Sequence, residues 1–116
     1  FTNASEDHAA RVLDRLGVSH HFAEVFDIVA ADFRPKPEEV AYDRMIEAHG
    51  IAPAHTVFFE DSARNLKPAH ARGMTTVWIE HEARWSRAGA EEDASFIHHR
   101  TDDLVAWLES LPEAGA

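Results

Sequence analysis

Three small groups of side chains in this 116-residue sequence are of types that could do chemistry. They are the adjacent carboxylates Glu60 and Asp61, a lysine, Lys36, set between Pro35 and Pro37, and the pair Thr2–Asn3. Two neighbouring carboxylates that close an apolar run repel each other, so a cation is their natural partner. A hard cation such as Mg2+ takes oxygen ligands of this kind and keeps part of its water shell. Each group also has a plainer reading. The acidic pair could decorate a helix N-terminus, Lys36 could be a solvated charge, and Thr2 could be one more β-branched strand residue. The position of Lys36 between two prolines, after an apolar run, favours a role in a site.

The surrounding pattern predicts the elements that would present these groups. Ser5 is a good N-cap, Glu6 and Asp7 suit the positive first turn, Val12, Leu13 and Leu16 have helical spacing, and Gly17 is a stop; residues 5–16 read as an amphipathic helix. Val25–Val29 is short, apolar and rich in β-branched residues, which predicts a strand buried on both faces. Pro35-Lys36-Pro37 ends it, and Pro37 suits the first position of a helix carrying Val40, Ala41, Met45 and Ile46 up to Gly50. Thr56–Phe59 reads as a second buried strand ending in Glu60–Asp61. The helix after it closes at Gly73 and must hold Pro68 in its first turn, because an interior proline would cost roughly 3 kcal/mol. Thr75–Ile79 reads as a third strand, and 80–95 as a loop with one helical turn. Thr101 is expected to cap a last helix with Asp102 and Asp103 in its first turn and Leu104, Val105, Trp107, Leu108 and Leu111 as its apolar residues. The tail after Pro112 is expected to fray. Helices alternating with short apolar strands predict an α/β fold, a Rossmann-like parallel sheet with helices on both faces. Ligands in such sheets bind at the carboxyl ends of strands, where Thr2–Asn3, Lys36 and Glu60–Asp61 are all expected.

Composition narrows the partners. A net charge of -10 argues against a nucleic-acid polymer, which would need displacement of counterions by Lys and Arg. A small phosphorylated ligand needs only one local positive charge and stays compatible. The absence of cysteine excludes disulfides, thiol nucleophiles and Cys-based zinc sites. No apolar run is long enough for a membrane span and no signal peptide opens the chain, so a cytoplasmic enzyme is the default expectation. Adjacent histidines, His20–His21 and His98–His99, point apart on either a helix or a strand and are poor metal ligands. His8 reads as a surface residue and Glu91-Glu92-Asp93 as a solvated loop. Trp78 reads as core and Trp107 as the anchor of the last helix, while Trp85 has no assignment.

The order and wording of the three groups resemble a known family. FTNASEDHAARVL resembles the second motif of the haloacid dehalogenase-like (HAD) phosphatases, where a Ser or Thr closes a strand. RPKP resembles the third, a lone Lys before a helix, and VFFEDSARNL the fourth, an acidic pair followed by a short polar turn. Any one of them alone is weak; the three in order, across nearly the whole chain, are specific. The wording is most similar to the pyrimidine 5'-nucleotidase-type branch. The resemblance implies Mg2+ as cofactor, with Asp61 as ligand and Glu60 as a second ligand or a source of negative potential. Asn65 stands where many relatives carry Asp, which implies support of a ligand rather than ligation. Lys36 would neutralise phosphoryl oxygens and keep a nucleophilic carboxylate ionised, with the Thr2 hydroxyl and the Asn3 backbone N–H donating to the same oxygens. Lys36 and Thr2 are the catalytic candidates.

The implied reaction is hydrolysis of a phosphate monoester, plausibly a nucleoside 5'-monophosphate, through an aspartyl-phosphate. The nucleophilic Asp of that reaction lies in a DxDxT/V motif on a central first strand, and no such motif occurs in residues 1–116. The chain opens on Phe1 as if inside an element, so it is expected to be a partial HAD-like core. Its nucleophile strand and substrate-selecting cap would lie before residue 1, and the chain alone would be inactive and poorly able to fold. The rival readings are a sugar-phosphate phosphatase or mutase of the same superfamily, and a non-catalytic HAD-like binding module; an upstream DxDxT/V segment separates enzyme from module. Haloacid dehalogenases proper need no metal and leave the acidic pair unexplained. A response-regulator receiver would place its acidic pair before its lysine, the reverse of the order found. A homodimer is compatible with all of these.

Overall fold

The structure is a computed structural model that describes residues 1–112, so the expected fraying after Pro112 lies outside the described residues. The chain divides into two compact units, Phe1–Ile51 and Ala52–Ala116. Among the described residues no helix is long and apolar enough to cross a membrane.

In the first unit, α1 spans Glu6–Leu16. The Ser5 hydroxyl accepts from His8 N–H, and Gly17 ends the helix in the left-handed region at φ 71°. This is the predicted helix, bounded by the predicted cap and stop. Its apolar stripe is uncovered within the unit: α1 has no buried residue, and Leu16 is 67% exposed.

The predicted strand at Val25–Val29 is absent. Two hydrogen bonds link the segment to the N-terminal residues, Thr2 N–H to Phe26 O and Ile28 N–H to Ala4 O, and then the chain turns over residues 28–33. The cause is Asp27. Its carboxylate accepts from Ala30 N–H at 2.8 Å and from Glu6 N–H at 2.9 Å, which offers the backbone an alternative to a strand ladder. Asp32 and Phe33 follow at φ 54° and 57°, uncommon for residues with a Cβ. The second helix, α2, spans Glu39–His49 and ends at Gly50. Pro37 is not its first residue as predicted: it follows a cis Lys36–Pro37 peptide and lies outside the helix, whose N-cap is Glu38. The unit's core is Phe26, Ala31, Ala41, Tyr42 and Met45. The Phe1 ring meets Phe26 at 5.2 Å and Tyr42 at 5.3 Å between centroids, so the first residue is a core contact.

The second unit holds a three-stranded parallel sheet in the order β1 (Val57–Glu60), β2 (Thr75–Ile79), β3 (His99–Thr101). Phe58 pairs with Thr76, Glu60 with Trp78, and Ile79 with Thr101. A parallel sheet served by helical connections is the predicted α/β arrangement, that of part of a Rossmann-like core. β2 is buried at its three central residues, as a strand covered on both faces must be. β1 differs from its predicted burial on both faces: Phe58 and Glu60 are buried, whereas Val57 and Phe59 are exposed.

After β1 the chain makes a 3-10 turn, Ala63–Leu66, and then α3, Lys67–Ala71, with Pro68 in the first turn as required. Leu66, Met74 and Val77 are fully buried, and each contributes roughly 1.5–3 kcal/mol relative to exposure. The predicted single helical turn in the 80–95 loop is α4, Arg84–Arg87. The last helix, α5, spans Leu104–Glu109, and its cap is Asp103, whose side chain accepts from Ala106 N–H. Thr101, the predicted cap, belongs to β3, a strand the sequence pattern did not reveal. A polar lock holds that strand's approach. The Thr76 hydroxyl donates to Phe96 O at 2.6 Å and accepts from His98 N–H at 3.1 Å, while Thr76 N–H donates to His98 Nδ1 at 3.0 Å. Trp78 is core as predicted, and Trp107 packs edge-on against Phe59.

Candidate functional site

The candidate residues fall into two groups, one in each unit. In the first, Thr2, Asn3 and Lys36 lie together. The Asn3 carboxamide grips the Lys36 main chain at both ends: its Oδ1 accepts from Lys36 N–H at 2.8 Å and its Nδ2 donates to Lys36 O at 3.4 Å. The Lys36 ammonium donates to Phe1 O at 3.1 Å and stands 5.0 Å from the Phe1 ring centroid. The half-buried lysine is thus folded back along the segment that carries Thr2 and Asn3. The Thr2 hydroxyl oxygen accepts from Ala4 N–H at 3.0 Å, which leaves its own proton to donate. One cation, one hydroxyl and a stretch of backbone therefore occupy a few residues, a group suited to an oxyanion. None of them closes a strand as expected, because residues 1–4 and 25–29 form no regular ladder.

Asp27 fastens two segments of the same unit, a role that the sequence pattern did not reveal. Its bonds to Ala30 N–H and Glu6 N–H tie the start of α1 to the 28–33 turn, and the first of these bonds, then the second, hold its carboxyl below the ordinary aspartate value. The signal in the sequence was an acidic residue inside an otherwise apolar run.

In the second unit, Glu60 is the last residue of β1 and Asp61 follows it. The two side chains do not share a setting. Glu60 is 8% exposed and its Oε1 accepts from Ser62 N–H at 3.3 Å, whereas Asp61 is exposed. The alternation of side chains along a strand accounts for the difference. The Asp61 carbonyl accepts from Ser86 Oγ at 2.5 Å and from Trp78 Nε1 at 3.2 Å. Asn65 is buried in the 3-10 turn that follows Asp61.

Asp61, an exposed carboxylate on a pinned backbone, is a ligand of the type a hard divalent cation takes, whereas the buried Glu60 carboxylate is turned to Ser62 N–H and does not share that setting. The two residues do not complete a coordination shell. Among the described residues no three His, Cys, Asp or Glu side chains converge into a metal cluster, so further oxygens would come from water or ligand. The adjacent histidines have structural places instead. His98 completes the β2 lock, whereas the His20 and His21 rings do not point apart as expected but lie tilted against each other in a 3-10 turn, with centroids 3.9 Å apart.

Residues 1–73 match the sequence profile of the haloacid dehalogenase-like hydrolases. The chain is 34% identical over 87 residues to "Enolase-phosphatase E1" from Sorangium cellulosum (strain So ce56). That alignment takes in 72% of this chain and 34% of the relative, so the chain spans about a third of the curated protein it resembles.

Proposed function

The chain belongs to the haloacid dehalogenase-like hydrolases, and from that premise we propose that it forms part of a Mg2+-dependent phosphatase acting on phosphate monoesters. The observation that carries the reading is the Asn3–Lys36 clamp, which holds the Lys36 main chain against the N-terminal segment, with the ammonium donating to Phe1 O one residue before Thr2. Phosphoryl transfer asks mainly for positioning and charge neutralisation, and this group offers both.

In this reading the Lys36 ammonium neutralises the phosphoryl oxygens and keeps an attacking carboxylate ionised. The Thr2 O–H and the Asn3 backbone N–H donate to the same oxygens, and act most strongly as charge builds there. In the second unit the exposed Asp61 would hold Mg2+, which when bound supplies positive charge in phosphatase chemistry, with the buried Glu60 adding negative potential. Asn65, buried in the turn after Asp61, would steady that turn. The attacking group would be an Asp of a DxDxT/V segment, a motif that residues 1–116 do not contain. Its Oδ attacks phosphorus to give an aspartyl-phosphate, the ester alcohol leaves, and water then releases phosphate and restores the carboxylate.

A nucleoside 5'-monophosphate is the substrate class that the FTNA and EDSARNL wording supports. The relative from Sorangium favours a second substrate reading, a phosphatase of the kind its name describes. A sugar phosphate, or a binding module without turnover, are the remaining outcomes of one experiment. Phosphate release is measured from nucleoside 5'-monophosphates, sugar phosphates and enol-type phosphates, with and without Mg2+, for the 116-residue chain and for any longer protein that its gene encodes. The expected result is Mg2+-dependent release by the longer protein, fastest on nucleotides, and none by the chain alone. Turnover by the chain alone would sink the proposed roles of Lys36, Thr2 and an external Asp, and no turnover by a longer product lacking DxDxT/V would favour the binding module.

A further inference from the structure

We infer that Ser86, with Trp78, is a positioning residue that sets the direction of the Asp61 carboxylate toward a divalent cation. The inference rests on the proposed reading of Asp61 as a metal ligand.

The peptide between Asp61 and Ser62 is held at both ends. Its carbonyl accepts from Ser86 Oγ at 2.5 Å and Trp78 Nε1 at 3.2 Å, and its N–H donates to Glu60 Oε1 at 3.3 Å. The Ser86 hydroxyl has no freedom to turn away. It accepts from His81 N–H at 3.2 Å and from Trp78 Nε1 at 3.3 Å, so its own proton is left for the Asp61 carbonyl. A second tie runs from Ser62 Oγ to Trp85 O at 3.4 Å. The four-residue helix α4 is thereby fastened twice to the acidic turn.

Burial decides how this network is read. Asp61 is exposed and could satisfy its carbonyl with water, yet the fold supplies two donors from side chains that are 0% and 3% exposed, Ser86 and Trp78. Polar groups held away from water act in a low dielectric, where their hydrogen bonds are directional and costly to misplace. With Glu60 held in β1 on one side, fixing this peptide on the other restrains the Cα–Cβ direction of Asp61, and two side-chain torsions then remain before its oxygens. The same peptide N–H draws the Glu60 carboxylate to one orientation. Groups that orient a metal ligand in this way commonly change metal affinity about 10–100-fold when removed.

The test is Mn2+ titration of the chain, read by paramagnetic broadening of the Glu60, Asp61 and Ser62 amide signals, with a melting midpoint for every variant. Ser86→Ala removes the hydroxyl at little cost in volume, and Trp78→Phe removes the indole N–H while keeping a ring. Thr76→Val is the control, a buried polar contact of the same sheet that does not touch the acidic turn. The expected result is a Mn2+ dissociation constant raised about 10–100-fold by Ser86→Ala and raised less by Trp78→Phe. Thr76→Val should lower the melting midpoint and leave the constant where it was. Unchanged Mn2+ affinity in both Ser86→Ala and Trp78→Phe, with broadening lost in Asp61→Asn, would overturn the positioning role and leave Asp61 a ligand. Broadening that survives Asp61→Asn, or is missing from the wild type, removes the ligand reading and the inference with it. If Ser86→Ala does not give a folded spectrum, Trp78→Phe decides alone.

Discussion

Asn3 and Lys36, 33 residues apart in the chain, share a two-point contact in which one carboxamide satisfies both the N–H and the C=O of the lysine. The contact places the lysine's backbone rather than its charge, so it should affect the ammonium only through where the chain holds it. Asn3→Ala is expected to cost about 0.5–1.5 kcal/mol per hydrogen bond lost, toward the low end because both bonds are exposed. Urea unfolding would show this as a lower midpoint at unchanged slope. Asn3→Asp keeps the acceptor for Lys36 N–H but loses the donor to Lys36 O, so its midpoint should fall between those of wild type and Asn3→Ala.

Asp27 is expected to make the stability of the first unit depend on acid. Its carboxylate is bonded by Ala30 N–H and Glu6 N–H, and its pKa lies below the ordinary value in the folded chain. The unfolded chain therefore binds the proton more readily than the folded one in that range. The contribution is fully present above the ordinary aspartate pKa, about 4, and fades as pH falls through the lower folded value. Melting midpoints measured from neutral pH down to the acid limit should fall at the acid end. Asp27→Asn keeps an acceptor but has no charge to lose, so its midpoint should be lower at neutral pH and should approach that of the wild type in acid. Parallel pH profiles for the two proteins would contradict this account.

The contrast between what the sequence disclosed and what it hid follows the range of the interactions. α1 and α2 were legible because their boundaries are local: Ser5 and Gly17 for one, Gly50 for the other. β2 was legible because Thr75–Ile79 is a continuous apolar and β-branched run, the signature of a strand covered on both faces. The run at Val25–Val29 has the same signature without the strand, since an apolar run reports burial and not conformation; Asp27, through bonds to Glu6 and Ala30, chose the turn. β3 is the opposite case: His99-Arg100-Thr101 has no apolar signal, and its approach is set by Thr76 bonding Phe96 and His98 some 20 residues away. At the candidate site the residue types were legible and their supports were not. Lys36 and Asp61 announce themselves by charge and spacing, whereas Asn3 as a clamp and Ser86 as a carbonyl donor are contacts across 33 and 25 residues.

Lys36 is the residue whose loss should separate function from stability. Its ammonium is half-buried, donates to Phe1 O and lies against the Phe1 ring. Lys36→Met keeps most of the stem, so the melting midpoint should move little. In the proposed reading, phosphate release by a protein that joins this chain to a DxDxT/V segment should fall by about 10²–10³-fold, the effect of removing one preorganised charge-stabilising donor. Lys36→Arg should not restore it, because a planar fork does not reproduce a compact ammonium. Phosphate release that survives Lys36→Met would take the lysine out of the reaction.

Thr76 sets the strength of the sheet in the second unit. Its hydroxyl is fully buried, donates to Phe96 O at 2.6 Å and accepts from His98 N–H at 3.1 Å. Thr76→Val has nearly the same shape and the same strand preference, so it isolates the hydroxyl from packing. Removing it leaves a carbonyl and an N–H without that partner in a place where water does not easily follow. A cost of about 1–3 kcal/mol is expected from the unpaired groups. The loss should appear in denaturant unfolding as a lower midpoint, and in amide exchange as faster exchange at Val77, Trp78 and His99, which lie along the β2–β3 pairing. Faster exchange confined to the Phe96 and His98 segment, with β2 still protected, would mean that the hydroxyl holds only the loop. The pairing of β3 would then rest on its backbone bonds to β2 alone.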